Sequence, residues 1–146
     1  MEPVVGTEGT HFVVEAAGCS KEILSDPRRI EQIFKDAAKA AKMTVKASYF
    51  FRFSPSGVSG SLIVAESHIS IHTWPELGYA AIDVYTCGDS DPEKAVDYIL
   101  HALGAKHAHV SEIRRGIPEE DGTYTHTILT WEENEGEIRE SKPSAI

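Results

Sequence analysis

Val64-Ala-Glu-Ser-His-Ile-Ser-Ile-His-Thr-Trp-Pro-Glu-Leu-Gly-Tyr79, continued by Ala80-Ala-Ile-Asp-Val-Tyr-Thr-Cys-Gly88, is the stretch whose reading decides the fold. Ile69, Ile71 and Thr73 alternate with polar neighbours at a period of two, which predicts a strand over Ile69–Trp74 rather than a helix. Pro75-Glu-Leu-Gly78 is a turn cluster, and Tyr79–Thr86 alternates again. The spacing predicts a hairpin in which Trp74 lies near Tyr79, His72 near Ala81, Ser70 near Asp83 and His68 near Tyr85.

Outward from this hairpin the two halves of the chain look alike. Before it come a strand over His11–Ala17, a helix opening at Asp26-Pro27, a strand over Thr44–Phe53 and a strand over Val58–Glu66. After it come a helix opening at Asp91-Pro92 and a strand over His107–Ile113. In both helices Asp supplies the N-cap and Pro the first helical position. Ile30, Ile33, Phe34, Ala37, Ala38 and Ala41 form one apolar stripe, and Ala95, Val96, Ile99, Leu100 and Leu103 the other. The expected class is α+β, an antiparallel sheet with both helices on one face. That leaves the other sheet face partly bare, which a homodimer packing sheet against sheet would cover.

The 146 residues allow one domain with a full core. Residues 1–116 are expected to form it. Residues 117–146, rich in Pro, Glu, Asp, Gly and Thr, read as an acidic extension, with one edge strand over Thr123–Trp131 followed by a flexible tail. The net charge of −9 repels phosphate backbones and argues against a nucleic acid partner. Two cysteines give no disulfide framework and no zinc-ligand spacing. No apolar run reaches membrane-spanning length and no basic-then-apolar leader opens the chain, so a cytoplasmic protein is expected.

Two geometric expectations concern chemistry. His68 and His72 share a strand face but lie roughly 13 Å apart at strand spacing, too far to hold one ion, so no metal site is expected. The hairpin register brings Glu66 near Cys87, and a one-residue change in loop length brings Ser67 there instead. Ser67 has the opposite parity to His68 and His72, so a regular strand points it to the other face unless the chain bends or breaks at 66–67.

From Glu66 to Gly88 the chain resembles the processing and catalytic segment of the prokaryotic S-adenosylmethionine decarboxylases, a small pyruvoyl-dependent family. Ser59 in Gly57-Val-Ser-Gly60 and Phe53 in Phe51-Arg-Phe53 also match, and the resemblance covers roughly residues 9–116. It implies a proenzyme that cleaves itself between Glu66 and Ser67 into a β chain of residues 1–66 and an α chain of residues 67–146. The Ser67 hydroxyl attacks the preceding carbonyl, the resulting ester eliminates, and loss of ammonia leaves an N-terminal pyruvoyl group. Ser59 and His72 match the processing residues, His72 moving the Cα proton. The pyruvoyl ketone would form a Schiff base with the α-amine of S-adenosylmethionine and accept electrons as carbon dioxide leaves.

By the same resemblance Cys87 is the proton donor to the resulting carbanion; an ordinary thiol, with a pKa of about 8.5, is mostly protonated at neutral pH. Glu76 would bind the ribose hydroxyls, and Phe53 and Trp74 would surround the adenine. Cys19, His101, His107, His109 and His126 have no tie to the site and read as structural. The product would be decarboxylated S-adenosylmethionine, the aminopropyl donor for spermidine synthesis. Arginine or ornithine decarboxylation by the same chemistry is the alternative, with an unprocessed, non-catalytic paralogue behind it. Ser67, His72 and Cys87 are all present, which argues against the paralogue. Glu76, Phe53 and Trp74 favour the nucleoside substrate.

Overall fold

The computed structural model describes residues 6–53, 55–65, 67–134 and 137–140. Among these described residues eight strands, β1 (Gly9–Ala17), β2 (Val45–Phe53), β3 (Gly57–Val64), β4 (Ser67–Trp74), β5 (Tyr79–Thr86), β6 (His107–Pro118), β7 (Tyr124–Asn134) and β8 (Glu137–Glu140), form one sheet. Their order is β2-β3-β4-β5-β1-β6-β7-β8 and every pairing is antiparallel. The helices are α1 (Lys21–Leu24), α2 (Pro27–Ala40) and α3 (Pro92–Ala102). The long pair, α2 and α3, pack on each other and on one sheet face, as the α+β reading expects.

The local reasons are visible in the caps and the alternation. The Asp26 side chain accepts from the Arg28 and Arg29 amides, and the Asp91 side chain from that of Lys94; caps of this kind stabilise a helix by about 1 kcal/mol. Phe34, Ile30 and Ile99 are fully buried from the helix side, and Leu62, Ile69, Ile71 and Val84 from the sheet. At Gly60 a Cβ would meet the Phe50 ring at 2.0 Å. That glycine lets Phe50 lie flat across β3 and meet Phe34 edge-on, with ring centroids 5.5 Å apart.

The hairpin has the expected register: Trp74 pairs with Tyr79, His72 with Ala81, Ser70 with Asp83 and His68 with Tyr85. Its turn is a single 3-10 turn over Pro75–Leu77, closed by Gly78 at φ +65°. Two elements were not anticipated. One is α1, a single turn capped by the Ser20 side chain, too short to show helical periodicity. The other is β8, which pairs with β7, so β7 is an internal strand and not the edge expected for Thr123–Trp131. The sheet therefore continues past Gly116 into the acidic extension. Residues 141–146, the end of the expected tail, and Glu66, on one side of the expected cleavage point, lie outside the described residues. No helix among the described residues is long and apolar enough to cross a membrane.

Candidate active site

The strands separate the candidate residues into two groups. The first sits where β4 begins and β5 ends. β4 is regular from its first residue, so Ser67 takes the buried, helix-side parity together with Ile69, Ile71 and Thr73; no bend turns it towards His72. Its hydroxyl donates to Thr86 Oγ1 at 2.9 Å and lies 3.3 Å from the Ala65 carbonyl oxygen. Thr86 is hydrogen-bonded in turn to the Ser90 hydroxyl. Cys87 follows directly, half-buried, and with Ala65 and Ser90 it lines a cleft of about 320 Å³ that also touches Lys42 and Met43. A second cleft of about 160 Å³, with Arg114 and Glu8 on its wall, reaches Cys87 from the other side. The expected register, with His68 at Tyr85, sets Ser67 against Thr86, and the structure has it there; the one-residue change that would put Ser67 opposite Cys87 does not occur.

The second group sits at the far end of β4, on the sheet face without helices. Ser59 pairs with His72 across β3 and β4, and Ser59 Oγ lies 2.9 Å from His72 Nδ1. Phe53 meets Trp74 edge-on at 6.4 Å. Glu76, in the 3-10 turn, accepts from Ser56 Oγ at 3.4 Å. One residue of this end was missed: Tyr79 stacks on Trp74 with centroids 5.1 Å apart. Its hydroxyl donates to Glu15 at 2.5 Å, and that bond, with burial and the Glu15 charge, raises the phenol to about 12. The hairpin register already paired Tyr79 with Trp74, which was the available signal.

Ser67 and His72 are five residues apart on one strand, which is roughly 17 Å; Ser67 and Trp74 are roughly 23 Å apart. They also face opposite sides of the sheet. A single chain brings Ser67 to Thr86, the residue before Cys87, and Ser59 to His72, but it does not bring the two pairs together.

Between the two groups, the open face carries a network that the sequence did not reveal. His11 Nε2 donates to Asp83 at 2.9 Å, and Arg115 donates to the other nitrogen of His11 at 3.3 Å while lying 4.6 Å from the Tyr85 ring centre. His68 touches the His11 and Tyr85 rings at 6.0 and 5.6 Å. The His11 hydrogen bond holds the Asp83 carboxyl below the usual carboxylate range, helped by the His11 and His68 charges and by Ser70, and opposed by burial. Burial pushes His68 down, with His11 and Arg115 adding and Asp83 opposing.

Both folded pKa values lie below the unfolded ones, so both groups contribute stability that is complete at high pH and lost on acidification. The loss begins below the ordinary imidazole value of 6.5 for His68 and below 3.8 for Asp83. Thermal melting is therefore expected to shift downward from about pH 7 to about pH 5, and His68→Gln to flatten that segment. A melting temperature independent of pH in that window contradicts this assignment.

Burial pushes the Cys19 thiol up to about 11, in keeping with a structural role. Cys19 and Cys87 form no disulfide. Among the described residues no group of three or more His, Cys, Asp or Glu could hold a metal ion.

Comparison with known proteins gives one consistent result. Residues 10–116 match the family model described as S-adenosylmethionine decarboxylase. The chain is 70% identical over 128 residues to the S-adenosylmethionine decarboxylase proenzyme of Pyrococcus furiosus, covering 87% of this chain and 92% of that one. It is 68% identical to the proenzyme of the same name from Thermococcus kodakarensis, covering 88% and 91%. The crystal structure of the adenosylmethionine decarboxylase from Aquifex aeolicus superimposes with a TM-score of 0.73 at 38% identity, covering 81% of this chain and 98% of that one. With the match spanning the hairpin, both long helices and the two candidate groups, the chain belongs to the S-adenosylmethionine decarboxylase family.

Proposed function

We propose that this chain is a self-cleaving proenzyme, that Ser67 becomes its pyruvoyl group, and that the mature protein decarboxylates S-adenosylmethionine. The observation carrying this reading is the hydrogen bond that holds the buried Ser67 hydroxyl against Thr86, the residue before Cys87, at a cleft also lined by Ala65. Thr86, which holds the Ser67 hydroxyl, Cys87 and Ala65, two residues before Ser67, line this one opening, which supports the reading. Cleavage between Glu66 and Ser67 gives a β chain of residues 1–66 and an α chain of residues 67–146.

The pyruvoyl group supplies an electrophilic ketone and an electron sink for decarboxylation. The protein's own side chains supply the rest. Cys87 holds a proton at Sγ for the carbon that loses carbon dioxide. His72, with Nδ1 engaged by Ser59, keeps Nε2 for moving the Ser67 Cα proton during processing. Trp74, braced by Tyr79, and Phe53 offer aromatic surfaces for the adenine and a cation–π contact for the sulfonium. The Glu76 carboxylate accepts from the ribose hydroxyls. A net charge of −9 favours approach of a cationic substrate.

The separation of the two groups supports a dimer as the working unit. Two protomers related by a two-fold axis, sheet face to sheet face, can set the Ser59–His72 end of one against the Ser67–Cys87 end of the other. The open face suits this: Tyr49, Phe51 and Ile63 lie exposed there at 70%, 45% and 46%, an apolar patch of the kind that marks an interface. The product fits the role of aminopropyl donor for spermidine synthesis in the cytoplasm.

A substrate panel tests the chemistry. Carbon dioxide release from S-adenosylmethionine, with none from arginine or ornithine, is expected. Arginine turnover without S-adenosylmethionine turnover overturns the substrate assignment while leaving the self-cleavage intact.

A further inference from the structure

We propose that Thr86 and Ser90 form a hydroxyl relay that carries the proton released by Ser67 in the first step of self-cleavage. This rests on the self-cleavage reading above and assigns a role to two residues that the reading does not otherwise use. Among the described residues only three polar side chains are buried: Ser67, Thr73 and Thr86. Thr73 is accounted for by the fold, since it accepts from the Val58 amide and donates to the Leu24 carbonyl. Ser67 and Thr86 are instead bonded to each other, at 2.9 Å, at the end of the sheet where the chain is expected to break.

The direction of these bonds suits a relay. The Ser67 hydroxyl donates to Thr86 Oγ1. Thr86 then has its own proton for Ser90, to which it is hydrogen-bonded, or for the Cys87 carbonyl at 3.3 Å. Ser90 is half-buried and lines both clefts around Cys87, so the chain of hydroxyls runs from a buried nucleophile to solvent. Gly88, at φ +88°, turns the backbone between Cys87 and Ser90 so that Ser90 comes back over Thr86.

An alcohol is too weak a base to hold a proton, but it can pass one by accepting and donating together. In the acyl shift the Ser67 oxygen bonds to the Glu66 carbonyl carbon, and the bond from that carbon to the Ser67 nitrogen breaks. The Ser67 hydroxyl proton goes to Thr86 as the Thr86 proton goes to Ser90 and on to water in the cleft. Water returns one proton to the departing nitrogen, which becomes an amine. One proton leaves oxygen and one arrives at nitrogen, so the step balances with no co-reactant.

The test follows cleavage of the full chain by intact mass for wild type, Thr86→Val, Thr86→Ser and Ser90→Ala, with and without hydroxylamine, which cuts an ester. Thr86→Val is expected to cleave about 100-fold more slowly, the scale of lost proton-transfer catalysis. Thr86→Ser is expected to return most of the rate. Hydroxylamine is expected not to rescue Thr86→Val, because the block precedes the ester. Thr86→Val cleaving at the wild-type rate overturns the relay, as does ester build-up in that variant. Equal slowing in Thr86→Val and Thr86→Ser, tracking a loss of thermal stability, also overturns it in favour of a packing role. Should Thr86→Val fail to fold, Ser90→Ala carries the test, with slower cleavage at unchanged melting temperature expected and the wild-type rate overturning the relay. A wild-type chain that never cleaves instead removes the self-cleavage reading itself.

Discussion

Ser67→Ala is expected to leave the chain as one uncleaved species near 16.0 kDa, folded and without decarboxylase activity. The substitution removes the only oxygen that can attack the preceding carbonyl from this position, and with it the carbons' route to a ketone, so the expected loss is complete rather than graded. The fold should survive. Ser67 Oγ contributes one good hydrogen bond, to Thr86, and Thr86 keeps Ser90 as a partner. A lost neutral hydrogen bond costs about 1 kcal/mol. A melting curve close to that of an uncleaved wild-type preparation, with no cleavage after prolonged incubation, is the expected pair of results. Cleavage of Ser67→Ala at an unchanged position would mean that another residue is the nucleophile.

The second large effect tests the proposed division of the site between two chains. Ser67→Ala alone and His72→Ala alone are each expected to remain uncleaved. Co-expressed, they are expected to complement each other, because a mixed dimer carries one site in which Ser67 of the His72→Ala chain meets His72 of the Ser67→Ala chain. Random pairing makes about half of the dimers mixed, with one intact site of two, so roughly a quarter of the wild-type number of sites should form. Tagging the two chains differently shows which one is cut: the His72→Ala chain alone. A single chain cannot give this result, since each variant lacks one of the two residues and Ser67 and His72 sit at opposite ends of β4. Absence of any cleavage in verified mixed dimers would mean that each chain completes its own site after a rearrangement of β4.

Much of this arrangement was legible in the residues, for local reasons. The Pro75–Gly78 turn fixes the hairpin register, because loop length and the two-residue period leave little freedom once both strands alternate. Asp26-Pro27 and Asp91-Pro92 mark the helix starts, because cap and first-turn chemistry is written in adjacent residues. Ser67 was readable in parity: alternation alone points it away from His72, and the straight run of β4 keeps it there.

Other features were not legible. α1 is held by the Ser20 cap and by packing, and four residues carry no period. The His11–Asp83–His68–Tyr85–Arg115 network joins four strands through the pairings of β1 with β5 and β6 and of β4 with β5. The hairpin turn specifies only the His68–Tyr85 neighbours; no local pattern specifies the pairings of β1 with β5 and β6. Thr86 escaped notice because a threonine ending a β strand is ordinary until its hydroxyl is found against Ser67.

The most direct test of the central claim is denaturing intact mass of the freshly purified wild-type chain. Self-cleavage at Ser67 predicts two species that divide after Glu66, the larger of them closed to N-terminal sequencing because its first residue is a pyruvoyl group. One stable species near 16.0 kDa after prolonged incubation contradicts it.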